Sequence, residues 1–173
     1  MSTVVKNQLR VCLLSVKYNI MRAMVNRVAF LMNILFMILN NASFIIQWLI
    51  LLGLKPEIGG YTLREIMLFW GLAASSYGLA NIFFARAFSL PDLIISGKLD
   101  SFLVQPKSVL LSVITSATAS SAIGDFLYGL AIICAFCFSV QRLLLFLLFA
   151  VTGAVIITAF AVLMGSLSFW FVK

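Results

Sequence analysis

An all-α membrane protein is predicted: an N-terminal amphipathic helix lying in the membrane interface, then four transmembrane helices, with a polar loop of short helical segments between the second and third. Three observations predict it. Apolar residues make up 64% of the 173 and charged residues 10%, against roughly 45–50% and 25% in soluble domains. Mean hydropathy is +1.17. The apolar residues also fall into four long runs, each exceeding the roughly 20 residues that cross a hydrocarbon core. The whole chain, 1–173, reads as a single transmembrane domain.

Composition also excludes chemistry. The chain has no histidine, which removes the commonest general base and metal ligand. Cys134 and Cys137 form a C-A-F-C pair inside an apolar run with no second ligand pair, so they read as packed membrane thiols, as does Cys12. No metal site and no catalytic group is expected. The net charge of +7 reports topology and contact with anionic lipid in such a chain, and nucleic acid is not an expected partner.

Residues 3–24 form the interfacial helix. Val5, Leu9, Cys12, Val16 and Ile20 recur at helical spacing, and Lys6, Arg10 and Lys17 share another face turned to lipid phosphates. A signal peptide fits poorly, because Lys17 and Arg22 break the apolar region and no small-residue cleavage site follows. Residues 28–54 are the first span, uncharged throughout. Asn33, Asn40 and Gln47 stand seven residues apart and share one face, with Asn41 and Ser43 beside them. Such a face is kept from lipid. Two readings remain open: hydrogen bonds between helices, or the lining of a substrate path. The sequon at Asn41 lies mid-membrane and is discounted. A turn with Pro56, Gly59 and Gly60 leads to Thr62 and Glu65, a capping box that opens the second span, 63–88. Gly71, Ala74, Ser75 and Gly78 permit close helix approach there.

The loop at 89–108 is the longest polar interruption. Ser89, Pro91 and Asp92 read as a helix start, and Gly97 as its stop. Leu99 to Val104 is a second short segment halted by Pro106. The third span, 109–138, begins rich in Ser, Thr and Ala and carries Asp125. An intramembrane carboxylate is a candidate functional group: here either a structural hydrogen-bonding group, or a group serving substrate passage, gating or an ion relay. The fourth span, 143–172, ends in aromatic residues and Lys173, an interface signature. With the N-terminus and the 89–108 loop on one side, Lys and Arg divide nine against three, which places both in the cytoplasm.

Residues 60–65, G-Y-T-L-R-E, and 95–106, I-S-G-K-L-D-S-F-L-V-Q-P, carry a resemblance. The chain resembles the permease subunits of bacterial ABC type-2 exporters, within the branch with I-x-x-G-x-L-D-x-x-L-x-x-P between spans two and three. Ile94 or Ile95, Gly97, Leu99, Asp100, Leu103 and Pro106 stand at the motif's positions, and S-F-W-F at 168–171 is also similar. Gln105 stands where the family commonly has Arg, and Lys98 where it often has an acid. The resemblance implies six spans, so this four-span chain would lack the last two. It implies a permease of the bacterial plasma membrane, one of a pair of identical or different subunits, moving a substrate with ATP hydrolysed by a separate ABC ATPase subunit. ATP and magnesium would sit on that partner, since this chain has no phosphate-binding G-x-x-x-x-G-K-[ST] loop. The 89–108 loop would dock the ATPase through Pro91, Asp92, Leu93, Ile94, Gly97, Leu99, Asp100, Phe102, Leu103 and Pro106, with Leu93, Ile94, Phe102 and Leu103 as apolar anchors. For Asp100, a purely local turn or cap is the other reading. The rival functions are a non-transporting scaffold or assembly subunit, and an ion-coupled carrier using Asp125.

Overall fold

The computed structural model describes residues 3–54, 59–105, 108–137 and 139–171, and among these there is helix and turn but no strand. The helices are α1 (Thr3–Ala23), α2 (Arg27–Leu54), α3 (Leu63–Phe84), α4 (Leu90–Ile95), α5 (Asp100–Leu103), α6 (Val109–Ile114), α7 (Ala122–Cys137), α8 (Val140–Ser166) and α9 (Ser168–Phe171). A 3₁₀ segment, Ala85–Ser89, joins α3 to α4. Three stretches are long and apolar enough to cross a membrane: Arg27–Leu54, Leu63–Ile95 and Val140–Phe171. A shorter apolar helix, Ala122–Phe136, is the fourth. The chain is an all-α membrane protein.

The expected third span is two helices. Between α6 and α7 the chain leaves helical geometry over residues 115–121. The hydroxyl-rich sequence explains how the helix stops. Thr115 Oγ1 donates to Leu111 O at 2.7 Å and Ser116 Oγ to Val113 O at 2.7 Å, carbonyls that also accept the Thr115 and Ser116 amides at 3.2 and 3.0 Å, so the hydroxyls double up on the last turn, which closes on an i→i+3 bond. With 16 residues, α7 is roughly 24 Å long at about 1.5 Å per residue. That is short of a core about 30 Å thick. Irregular backbone in a membrane domain needs partners for its polar groups, and it has them. Thr115 O accepts Ser15 Oγ at 3.0 Å and Asn19 Nδ2 at 3.1 Å. The Ala119 amide donates to Asn81 O at 3.1 Å, and Asn33 Nδ2 donates to Ser120 Oγ at 3.1 Å.

The fold divides into two compact units. One comprises residues 28–79 and 120–154, and it is organised on α7. Glycines set its spacing. A Cβ at Gly129 would fall on Ser75 Oγ and Gly71 O, and one at Gly78 would lie 2.8 Å from Ala122 O and Phe126 N. At Gly124 it would lie 2.6 Å from Ile34 O, and at Gly153 2.6 Å from Ser76 Oγ. Thus α3 and α2 each approach α7 backbone to backbone, where small residues let dispersion contacts accumulate. Met67, Tyr128 and Ile132 are the buried centre, with Ile45, Trp48 and Phe136 against them. Of the α3 small-residue stripe expected from sequence, Gly71, Ser75 and Gly78 meet α7 at close approach and Ala74 packs against the buried centre.

The other unit comprises residues 1–27, 80–119 and 155–173. Its centre is Leu90, Leu93 and Val113, with Ile94, Leu99, Phe102, Val109 and Val162 around them. In α1, Val16 is buried, while Lys6, Arg10 and Lys17 are exposed, as is Leu9 of the expected apolar face.

Candidate functional site

Two places gather the residues that sequence singled out: the loop at 89–108 and the carboxylate of Asp125.

The loop is a helical hairpin held by local chemistry. Pro91 sits in the first turn of α4 with Asp92 beside it, where a fixed φ and a negative charge both suit a helix start. Ser89 does not cap it through its side chain. Its hydroxyl donates instead to Arg86 O at 3.4 Å. Gly97 ends α4 at φ +68°, a conformation that costs a residue with a Cβ about 1–2 kcal/mol. Its amide donates to Ile94 O at 3.1 Å, and the reversal brings the Leu99 amide to Leu93 O at 3.2 Å. The Asp100 amide then donates to Gly97 O at 3.3 Å, and Asp100 opens α5 with its side chain exposed.

Packing sorts the loop's apolar residues into two sets. Leu93 is 6% exposed, in the centre of its unit, and Ile94, Leu99 and Phe102 pack around it. The side chain of Leu90 lies against Gly165 near the end of α8, 3.1 Å from where a Cβ there would be. Leu103 and Val104 are 57% and 85% exposed, and Ile95 is exposed too. The expected anchors therefore separate: Leu93 faces inward, Ile94 and Phe102 are partly committed to the same cluster, and Leu103 faces out. Ile95 and Val104, which sequence reasoning did not choose as anchors, complete the exposed apolar set. Pro106 lies outside the described residues.

Asp125 occupies the first turn of α7 and is 6% exposed. Its Cβ lies against Gly78, at a spacing of 3.0 Å from where a Cβ there would stand, so α3 leaves room for it only because residue 78 has no side chain. Asn41 of α2, also buried, donates Nδ2 to Asp125 Oδ1 at 2.6 Å and to Met37 O at 3.1 Å. One buried pair thus ties α2 to α7. Of the amides expected to share a face, Asn33 reaches Ser120, whereas Asn40 and Gln47 are exposed. The Asn40 side chain bonds within its own helix, to Met37 Sδ at 3.9 Å. Asn41 is the amide that meets the carboxylate. The signal for it was the three-to-four spacing of Ile34, Met37, Asn41, Ile45 and Trp48, which is the packed face of α2.

Removing half of this pair has a measurable cost. Asp125→Leu leaves the Asn41 amide buried with one N–H unsatisfied, at a cost of about 1–3 kcal/mol. Asp125→Asn keeps an acceptor at the same place. In detergent, the thermal midpoint is expected to fall for the leucine variant and to stay near wild type for the asparagine variant. Equal midpoints for all three proteins would remove the pair's role in joining α2 to α7.

No curated protein and no solved structure matches the chain. The family described as ABC-2 family transporter protein matches residues 37–173, from within α2 to Lys173. That stretch holds both the 89–108 hairpin and the Asn41–Asp125 pair, and it is well over half of the chain. This chain belongs to the ABC-2 transporter family, as a multi-pass membrane subunit of the permease type.

Proposed function

We propose that the chain is the permease subunit of an ATP-driven exporter of the bacterial plasma membrane, and that the 89–108 hairpin is where a separate ATP-hydrolysing subunit docks. The observation that carries this reading is the hairpin's construction: Leu90 and Leu93 anchor it to α6 and the end of α8, while Ile95, Leu103 and Val104 stay exposed beside Asp92 and Asp100. A lever needs a mount and a free face, and these residues supply both. The N-terminus and the hairpin lie on the cytoplasmic side, by the distribution of Lys and Arg. ATP and magnesium bind on the partner, whose closure pushes the hairpin. Helices packed as tightly as α3 and α7 transmit such a push as rigid bodies.

A second permease subunit, identical or different, completes the path. Asn40 and Gln47 support this, because an exposed amide on a spanning helix calls for a polar partner rather than lipid. The buried, hydrogen-bonded state of Asp125 favours a joint between helices over an ion relay.

The experiment is a pull-down of the tagged chain in mild detergent from its native host, with bound proteins identified by mass spectrometry. An ABC ATPase is expected with the wild-type chain and is expected to be lost when residues 89–108 are replaced by a flexible linker. A well-folded chain that brings down no ATPase overturns the reading and leaves a scaffold.

A further inference from the structure

The unit built from residues 1–27, 80–119 and 155–173 holds a cavity of about 340 Å³ that the transport reading does not use. It lies among the last turns of α1, the 3₁₀ segment and the break after α6, and its walls include Asn19, Arg22, Arg86, Ser116 and Thr118. We propose that this cavity binds a phosphate group, with Arg22 and Arg86 as its two cationic walls.

Four features of the cavity point there. Among the described residues, both charged side chains in its lining are arginines and no carboxylate lines it. Two guanidiniums on one small space repel unless an anion lies between them, and Arg is the side chain whose planar fork fits phosphate oxygens. Arg86 is held for the task. Its Nε donates to Ser116 Oγ at 3.3 Å, and that hydroxyl donates onward to Val113 O at 2.7 Å. The guanidinium is thus fixed at one edge, and half-buried, while its terminal N–H groups take no hydrogen-bond partner among the described residues. Finally, the Thr118 hydroxyl is buried and has no hydrogen-bond partner among the described residues. Buried hydroxyls are ordinarily paired, so an orphan on the wall of a doubly cationic cavity marks a polar occupant. Asn19, already bonded to Thr115 O, fixes the backbone of the break beside it.

The phosphate has two possible sources, an anionic lipid head group or a free phosphate. The lipid source is favoured by α1, whose exposed Lys6, Arg10 and Lys17 precede Arg22 on a helix suited to the membrane surface. Arg22 would then be the one basic residue of that helix that reads a head group in a defined pocket, rather than attracting the surface in general.

The test uses the full chain in nanodiscs of phosphatidylcholine doped with phosphatidylglycerol, with retained lipid counted by native mass spectrometry after release. Four proteins are compared: wild type, Arg22→Gln, Arg86→Gln and Lys17→Gln, the last being a basic residue of α1 outside the cavity. Retained phosphatidylglycerol is expected to drop about tenfold or more for each arginine variant, the loss of a charge-assisted hydrogen bond, and by no more than about fivefold, the general pull of one surface charge, for Lys17→Gln. Arg22 is exposed, and its hydrogen bond among the described residues is a backbone one, Val25 N–H to Arg22 O at 3.3 Å, which a change of side chain leaves in place, so its variant reads the site even if Arg86→Gln misfolds. In a parallel arm, inorganic phosphate is added to the same proteins and the thermal midpoint followed. A phosphate-dependent rise that vanishes in Arg22→Gln, with lipid retention unaffected, supports the site with a soluble source. Equal behaviour of Arg22→Gln and wild type in both arms overturns it, as does an equal loss of lipid in Lys17→Gln.

Discussion

Gly129→Leu is expected to prevent the chain from accumulating as a folded membrane protein. A Cβ at this position would coincide with Ser75 Oγ and Gly71 O, with the Gly71 carbonyl carbon 3.1 Å away. Those atoms belong largely to the backbone of α3, so no rotamer change relieves the clash. The helices must separate. Separation breaks the bond from Ser75 Oγ to Phe126 O at 3.4 Å and opens the cluster of Met67, Tyr128 and Ile132. Overpacking of a dense core costs about 1–3 kcal/mol where side chains can shift, and this site is more constrained than that. Against a total stability of about 5–15 kcal/mol, a drop of several degrees or more in thermal midpoint follows, with loss of folded yield. Gly53→Leu is the control, since nothing lies within 4 Å of a Cβ there. If the two variants melt together with wild type, α3 and α7 do not meet as described.

Much of this architecture was legible because its signals are local. The hairpin depends on Pro91 starting a helix and Gly97 stopping one, and both act through their own backbone angles. The capping box at the start of α3 is equally local. The Thr62 amide and hydroxyl both donate to Glu65 Oε2, at 2.9 and 2.8 Å. The break between α6 and α7 was not legible, because a run of Ser, Thr and Ala is compatible with a membrane helix. Distant partners decide it: Ser15 and Asn19 lie about a hundred positions before the carbonyl they satisfy. That Asn41, rather than Asn40 of the expected face, meets Asp125 was hidden for a related reason. Consecutive residues on a helix stand about 100° apart, so a heptad marks a stripe without saying which neighbour meets the next helix. Gly124, by admitting the backbone of α2, settles that. Hydrophobicity likewise marked Leu93 and Phe102 as anchors without distinguishing a mount from a free face, a distinction that rests on where Val113 and Val162 lie.

That distinction leads to the largest functional effect expected. Leu103→Asp and Val104→Asp are each expected to lower recovery of the ATPase with the tagged chain by tenfold or more, without changing the chain's own stability. An exposed apolar side chain at the centre of an interface contributes about 2 kcal/mol or more when it is a hot spot, and 1.4 kcal/mol is already tenfold in affinity. Placing a carboxylate there adds the cost of burying an unpaired charge on docking. Phe102→Asp is the internal contrast. Its ring packs on Leu90, Leu93 and Val113, so it should lower the thermal midpoint first and partner recovery only as a consequence. Asp100→Ala should weaken recovery more modestly, and more at low salt than at high, because its exposed carboxylate can act only through a screened charge pair. Full recovery of the ATPase with Leu103→Asp and Val104→Asp together would mean that the free face of the hairpin is not the docking surface, and that any coupling runs through another part of the permease.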